Sequence, residues 1–195
     1  MSVPNIFLRP REQQAQADGA KRKFIHPDGD HLTMLNAFNA FVAKQMNPDW
    51  CWDNYLSHRS LKQANDVRNQ LLNMSTKQGL SLNSTPPQAA EYYENIKKCL
   101  LSGFFMQVGH LERAGHYLTL KDEQVVMIHP SSALDSKPQW VMYNEFVLTN
   151  KNYIRTVTQI RPEWLFEASE EYFDLDEFKQ SSESTRKLAR IKGTK

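Results

Sequence analysis

Cysteine is scarce in this 195-residue chain: only Cys51 and Cys99 occur, with no CxxC pair and no His/Cys spacing of a zinc site. That excludes a disulfide scaffold or a structural zinc centre as the source of stability and leaves two ordinary buried or half-buried thiols. Long apolar runs are missing too. None approaches the roughly 18 residues a membrane span requires, and MSVPNIFLRP lacks the apolar centre of a signal peptide, so the expectation is a soluble intracellular chain. Charge of one sign is equally lacking: 24 Lys and Arg stand against 22 Asp and Glu, a net +2, which offers no global attraction for a polyanion. No GxxxxGK[ST] loop is present to cradle nucleotide phosphates, and no GxSxG nucleophile elbow. His110-Leu111-Glu112 has the HxE form of zinc deaminases but no PCxxC partner, and His26, His31, His58, His116 and His129 are scattered without ligand spacing. No catalytic residue, metal or cofactor is therefore expected within this chain.

What the chain has is a core-forming composition, 40% hydrophobic with 11% aromatics, enough for one large or two small domains. Its charge is uneven along the sequence. Glu167, Glu170, Glu171, Asp174, Asp176 and Glu177 form an acidic stretch, and Arg186, Lys187, Arg190, Lys192 and Lys195 a basic tail. The tail reads as a solvated terminus, with RNA or partner contact as the alternative. Asn83-Ser84-Thr85 fits a glycosylation sequon but reads as a plain polar loop.

The first half has helical periodicity. Arg11 to Phe24 follows Pro10 with a meagre stripe of Ala15, Ala20 and Phe24. Asp30 has the position of an N-cap for a helix carrying Leu32, Leu35, Phe38, Phe41 and Val42 until Asn47-Pro48 stops it. Trp50, Trp52, Tyr55 and Leu56 suggest a short third helix. Ser60-Leu61-Lys62-Gln63 has the form of a capping box, opening a helix with Leu61, Ala64, Val67, Leu71 and Met74 as its inward stripe. Gly79 to Pro87 is a break, and Tyr92, Ile96 and Leu100 then define a helix from about Gln88 to Ser102.

Gly103 marks a change of period. Strand patterns follow at Phe104–Leu111, His116–Lys121, Val125–His129, Gln139–Thr149 and Tyr153–Ile160, with a tight turn at Asp122-Glu123 and a last helix at Pro162–Ser169. Trp140, Met142, Phe146 and Leu148 alternate with Val141, Tyr143, Glu145 and Val147, and Tyr153, Arg155 and Val157 with Ile154, Thr156 and Thr158, a hairpin turning at Thr149–Asn152. Five short antiparallel strands suit a small Greek-key barrel of the OB type. The fold class is α+β, helices first and a five-stranded barrel second.

The words WVMYNEFVLTNKNYIRTVTQIRPEW from Trp140 to Trp164, NIKKCLLSGFFMQVGHL at 95–111 and GHYLTLKDEQVVMIHPSSAL at 115–134 carry a further signal. So do SVPNIFLRP at 2–10, HPDGDHLTMLNAF at 26–38, WCWDNYLSHRSLKQANDVRNQL at 50–71 and the YDxxxF-like Tyr172–Phe178. Together, and in this order, they resemble the C-terminal region of DEAH-box RNA helicases, of the type that disassembles spliceosomes and also serves ribosome biogenesis. Cys99 and Gly109 depart from the alanine-like residues of that pattern. The resemblance implies a helical ratchet-like domain at 1–103, an OB-fold at 104–180 and a basic tail at 181–195. It also implies an ATP-dependent RNA helicase as the parent enzyme, with ATP and magnesium held by RecA-like motor domains that, like the DEAH box itself, are not in this sequence. The chain thus reads as an accessory module that contacts single-stranded RNA, closes the RNA channel over the motor and winged-helix domains, and docks activating G-patch proteins. A nuclear location is implied, extending to the nucleolus and cytoplasm.

OB barrels hold single strands by aromatic stacking and a positive groove. Lys151, Asn152, Tyr153 and Arg155 lie together at the hairpin turn, Tyr153 and Arg155 on one strand face; the plainer reading is a packing tyrosine beside a surface arginine. Lys121 at the Leu120–Glu123 turn is a second candidate or a merely solvated lysine. Lys62, Asn65 and Arg68, at i, i+3 spacing, form a polar helix face for RNA or for water. The rival to RNA contact as a whole is a protein-docking module built on the acidic 167–177 stretch and exposed aromatics.

Overall fold

The computed structural model describes residues 5–169; the Tyr172–Phe178 motif, the acidic residues from Glu170 onward and the basic tail lie outside them. The chain divides into two compact units. One is built from residues up to His26 with Leu32–Thr85, the other from Pro27–His31 with residues from Pro86 onward. The division expected at 103/104 thus differs from this one, because Leu101 of the preceding helix is wholly buried in a core of the second unit.

In the first unit Pro10 leads into a 3₁₀ turn at Arg11–Gln13 and helix α1 at Gln14–Arg22. Its inward residues are Ala17 and Ala20, while Ala15, expected on that stripe, is exposed. At about 100° per residue Ala15 points some 140° away from Ala20, whereas Ala17 lies about 60° from it. Helix α2 at Asp30–Ala43 buries Leu32, Ala37 and Phe41 but leaves Val42 exposed. The left-handed residues Gln45 and Met46 follow its end. Helix α3 spans Pro48–Asp53, capped by the Asn47 side chain, which accepts the N–H groups of Asp49 at 2.7 Å and Trp50 at 3.1 Å; Pro48 takes the first position, where no N–H is needed.

Helix α4 runs His58–Lys77 and starts ahead of the capping box read at Ser60. Ser57 is its cap, with extended backbone and a hydroxyl accepting the Ser60 N–H at 3.2 Å. Ile6, Phe24, Ala37, Phe41, Cys51, Leu56 and Leu61 form this unit's core, the Phe24 ring edge-on to Trp50 at 6.0 Å. Burial pushes the Cys51 thiol pKa up. Of the expected stripe beyond Leu61, Ala64 and Val67 are half-buried, but Leu71 is 57% and Met74 56% exposed.

In the second unit, Pro86-Pro87 holds the chain in turns, and helix α5 begins only at Tyr92, running to Phe104. Gly103 is still helical, so the change to strand comes later than the sequence implied. The strands are β1 Val108–Leu111, β2 Tyr117–Thr119, β3 Val125–Ile128, β4 Trp140–Leu148 and β5 Asn152–Gln159, followed by helix α6 at Glu163–Ala168. They close into a barrel in the order β1-β2-β3-β5-β4. The expectation of antiparallel pairing throughout is corrected at one ladder: β3 and β5 run parallel, Met127 opposite Tyr153 and Ile128 opposite Ile154. Five strands in a closed ring cannot alternate direction at every junction, so one junction must be parallel.

Two cores stabilise this unit. Inside the barrel lie Tyr117, Val126, Leu134, Val141, Tyr143, Ile154 and Val157. Outside it, Trp140 and Met142 of β4 pack with Val108, Leu101 of α5, and Trp164 and Leu165 of α6, each large side chain contributing about 1.5–3 kcal/mol by burial. The hairpin face that carries Trp140 and Met142 is not buried along its whole length: Phe146 is 44% and Leu148 74% exposed, while Glu145 and Val147 on the other face are half-buried. On β5, Arg155 is exposed and Val157 buried although two residues apart, because Thr156 between them has φ +58° and breaks the pleat.

Residues 27–31 are strapped along β5. Gly29 bridges to Thr158, the Gln159 N–H donates to the Asp28 carbonyl at 2.8 Å, and Lys97 of α5 pairs with the Asp28 carboxylate at 2.6 Å. Asp30 is corrected from N-cap to long-range acceptor. Its carboxylate takes the Val157 N–H at 2.8 Å, the Ala133 N–H at 2.6 Å and the Ser132 hydroxyl at 2.6 Å. His31 Nδ1 lies 2.9 Å from the Thr158 hydroxyl, its ring 5.7 Å from Phe104.

Burial pulls the His31 pKa down to about 4 from 6.5, against a smaller upward pull from Asp30. The unfolded chain takes up this proton first, so the ring's stabilisation is complete above pH 6.5 and is lost as pH falls toward 4. The loss is on the order of 3 kcal/mol at most. Thermal midpoints measured across this window should fall for the wild type and fall less for His31→Asn, which keeps an acceptor but does not titrate; parallel profiles would refute the assignment.

Candidate nucleic-acid interface

The turn between β4 and β5 is short because Thr149 closes it, its N–H donating to the Lys151 carbonyl at 3.1 Å and its hydroxyl to the same oxygen at 3.2 Å. Lys151 is thereby held at the tip, exposed and with no ion-pair partner among the described residues. Asn152 pairs with Leu148 and is half-buried. Tyr153 sits in a row with Val147 of β4 and Met127 of β3. Its ring lies against His129, centroids 5.4 Å apart at 77°.

Arg155 shares the outward face with Tyr153, but its guanidinium is engaged: Nε donates to Glu145 Oε2 at 2.9 Å and Nη2 to the same oxygen. An exposed pair of this kind is worth about 0–1 kcal/mol, so a phosphate could displace the carboxylate at small cost, and the free Lys151 is the stronger cation. Lys121 is exposed in the turn between β2 and β3, with left-handed Glu123 at φ +49° beside it. Glu123 and Gln124 donate their N–H groups to the Thr119 carbonyl and hydroxyl. Strands β2 and β3 and the β1–β2 and β4–β5 loops make the binding face of OB barrels. Lys121, Tyr153 and Lys151 all belong to the barrel unit, whereas Lys62, Asn65 and Arg68 are on α4 of the helical unit. There Lys62 and Arg68 are exposed and Asn65 half-buried. Successive steps of three residues spread them over about 120° of that helix.

Sequence reasoning missed three residues of this face. Val125, Met127 and His129 alternate along β3 and its extension; Val125 is 53% and Met127 43% exposed, and His129 is half-buried beside Tyr153. Period-two spacing was the available signal; the parallel neighbour that brings His129 to Tyr153 was not. The other basic cluster is committed. Lys97, Lys98 and Arg161 lie 5.4–5.7 Å over the Trp164 ring. Their charges meet Asp28, Glu94 and Glu167.

Among the described residues no group of three His, Cys, Asp or Glu side chains could hold a metal ion, and no helix is long and apolar enough to cross a membrane. The face itself presents an unpaired ammonium group, exposed apolar strand residues and two aromatic rings at 77°. Residues 96–172, which hold most of α5, the whole barrel and α6, match the family model of the oligonucleotide/oligosaccharide-binding (OB)-fold, a domain typical of helicases, and the segment fits a helicase C-terminal OB domain.

Proposed function

We propose that this chain is the ratchet-plus-OB C-terminal module of a DEAH-box ATP-dependent RNA helicase acting in pre-mRNA splicing, at spliceosome disassembly, and in ribosome biogenesis. In that role it contacts single-stranded RNA, closes the RNA channel and docks G-patch activators, while ATP and magnesium act in RecA-like motor domains. Nuclear, nucleolar and cytoplasmic locations accord with the same reading. The observation that carries it is the closed β1-β2-β3-β5-β4 barrel of helicase-associated OB type bearing an unpaired Lys151 beside an outward Tyr153.

Binding of a fluorescent single-stranded RNA to the full chain at low and moderate salt tests this reading. Affinity should fall with salt, each neutralised phosphate adding about 0.7 to the logarithmic slope. A Lys151→Ala, Tyr153→Ala, Arg155→Ala variant should lose tenfold or more, from one stacking contact of about 1–3 kcal/mol and one or two phosphate contacts. A folded wild-type chain that ignores RNA at low salt would sink the RNA reading. It would leave protein docking, to which the uncovered Leu71 and Met74 of α4 are suited.

A further inference from the structure

His129 lies one residue past β3 and continues its parallel ladder, the N–H donating to the Ile154 carbonyl at 2.9 Å. Its Nδ1 accepts the Ser131 N–H at 3.1 Å and lies 2.8 Å from the Ser131 hydroxyl. A ring nitrogen that accepts an N–H carries no proton, so the neutral imidazole holds its proton on Nε2. The backbone ladder and Ser131 therefore fix both the position and the tautomer of the ring.

Neither His129 nor Tyr153 belongs to the two hydrophobic cores of the barrel unit. Two aromatic rings are thus held at 77° outside both cores, each retaining a polar atom, Nε2–H or the phenolic hydroxyl, without a partner among the described residues. A flat heteroaromatic ring stacked on one of them presents its polar edge to the other. The surrounding charge favours a polyanion: Lys151 is unpaired two residues from Tyr153, and Glu145 on the neighbouring strand is already neutralised by Arg155.

We propose that His129 and Tyr153 form a base-binding corner for single-stranded RNA, in which one ring stacks on a base and the polar atom of the other meets that base's edge. The proposal rests on the RNA reading above and adds His129 as the residue through which bases, rather than phosphates, are held.

The test compares the full chain and its His129→Asn and Lys151→Ala variants on a short oligouridylate and on an abasic strand of equal length. His129→Asn keeps an acceptor for the Ser131 N–H but removes the ring, and an unchanged melting temperature establishes that it folds. It should bind oligouridylate about fivefold to tenfold more weakly, with the wild-type salt slope and wild-type affinity for the abasic strand. Lys151→Ala should weaken binding to both strands and flatten the slope. If Lys151→Ala weakens binding but His129→Asn does not, RNA binding stands and the corner is wrong. Equal losses of His129→Asn on both strands would also overturn it, placing the ring's effect on the backbone contact. No binding by the wild type would remove the RNA reading and the corner together.

Discussion

Asp30→Ala is expected to destabilise the barrel unit by about 3–5 kcal/mol. The wild-type carboxylate accepts two backbone N–H groups, from Val157 and Ala133, and the Ser132 hydroxyl, and Asp30 itself is only 9% exposed. Alanine leaves these donors without their acceptor in a place water reaches poorly, and a buried unmade bond to a charged group costs far more than an exposed one. Asp30→Asn should fall between the two, since an amide oxygen still accepts but its NH₂ faces donors. Amide exchange is the discriminating readout: Val157 and Ala133 should exchange roughly a hundredfold faster in Asp30→Ala, at about 1.4 kcal/mol per tenfold. Exchange unchanged at both amides would show that the carboxylate does not hold them.

Gly29→Ala should cost at least about 4 kcal/mol, from strain plus loss of the strap's contacts. Gly29 has φ +127°, a conformation that side-chain-bearing residues rarely adopt. A Cβ there would fall on the Val157 carbonyl oxygen and within 2.8 Å of the Thr158 Cα, both backbone atoms that cannot swing aside. The segment would have to lift, losing the Gln159–Asp28 bond and the Asp30 contacts together. Gly79→Ala is the comparison: its φ is also positive, at +70°, but a Cβ there meets nothing within 4 Å. Chemical denaturation should show a large loss for Gly29→Ala and a loss of about 1 kcal/mol for Gly79→Ala. Similar losses at both positions would mean that backbone conformation, not close approach to β5, is what Gly29 supplies.

These two residues also show where sequence reading stops. An aspartate immediately before an apolar helical run is what an N-cap looks like, and the same pattern arises when the carboxylate serves acceptor-seeking groups elsewhere. Its three partners lie 102, 103 and 127 residues away. Nothing local distinguishes the two uses. The Ser57 cap was displaced by three residues for a related reason: Ser57 and Ser60 both suit a cap, and only the extended backbone at Ser57 selects it.

Candidate binding residues were legible to the extent that they were local. A polar turn between two alternating runs placed Lys151 at a hairpin tip and Tyr153 and Arg155 on one strand face. The commitment of Arg155 to Glu145, ten residues away across the hairpin, follows from the register. The contact of His129 with Tyr153 follows from the parallel β3–β5 ladder. On α4 the apolar spacing was real but its burial was not: Leu71 and Met74 repeat at helical intervals and remain more than half exposed.

By itself the sequence determined the order of helices and strands, the place of each strand to within a few residues, and the absence of a phosphate loop. These depend on period, on turn residues and on capping chemistry, all readable over a few neighbours. The tertiary structure alone decided which strands are neighbours, where the closed ring must accept a parallel pair, and which short segment completes the unit along β5. Those outcomes depend on partners that meet only after the chain has folded back, across 26 residues for the Met127–Tyr153 pair and across more than a hundred for the segment along β5, and no local pattern records that meeting.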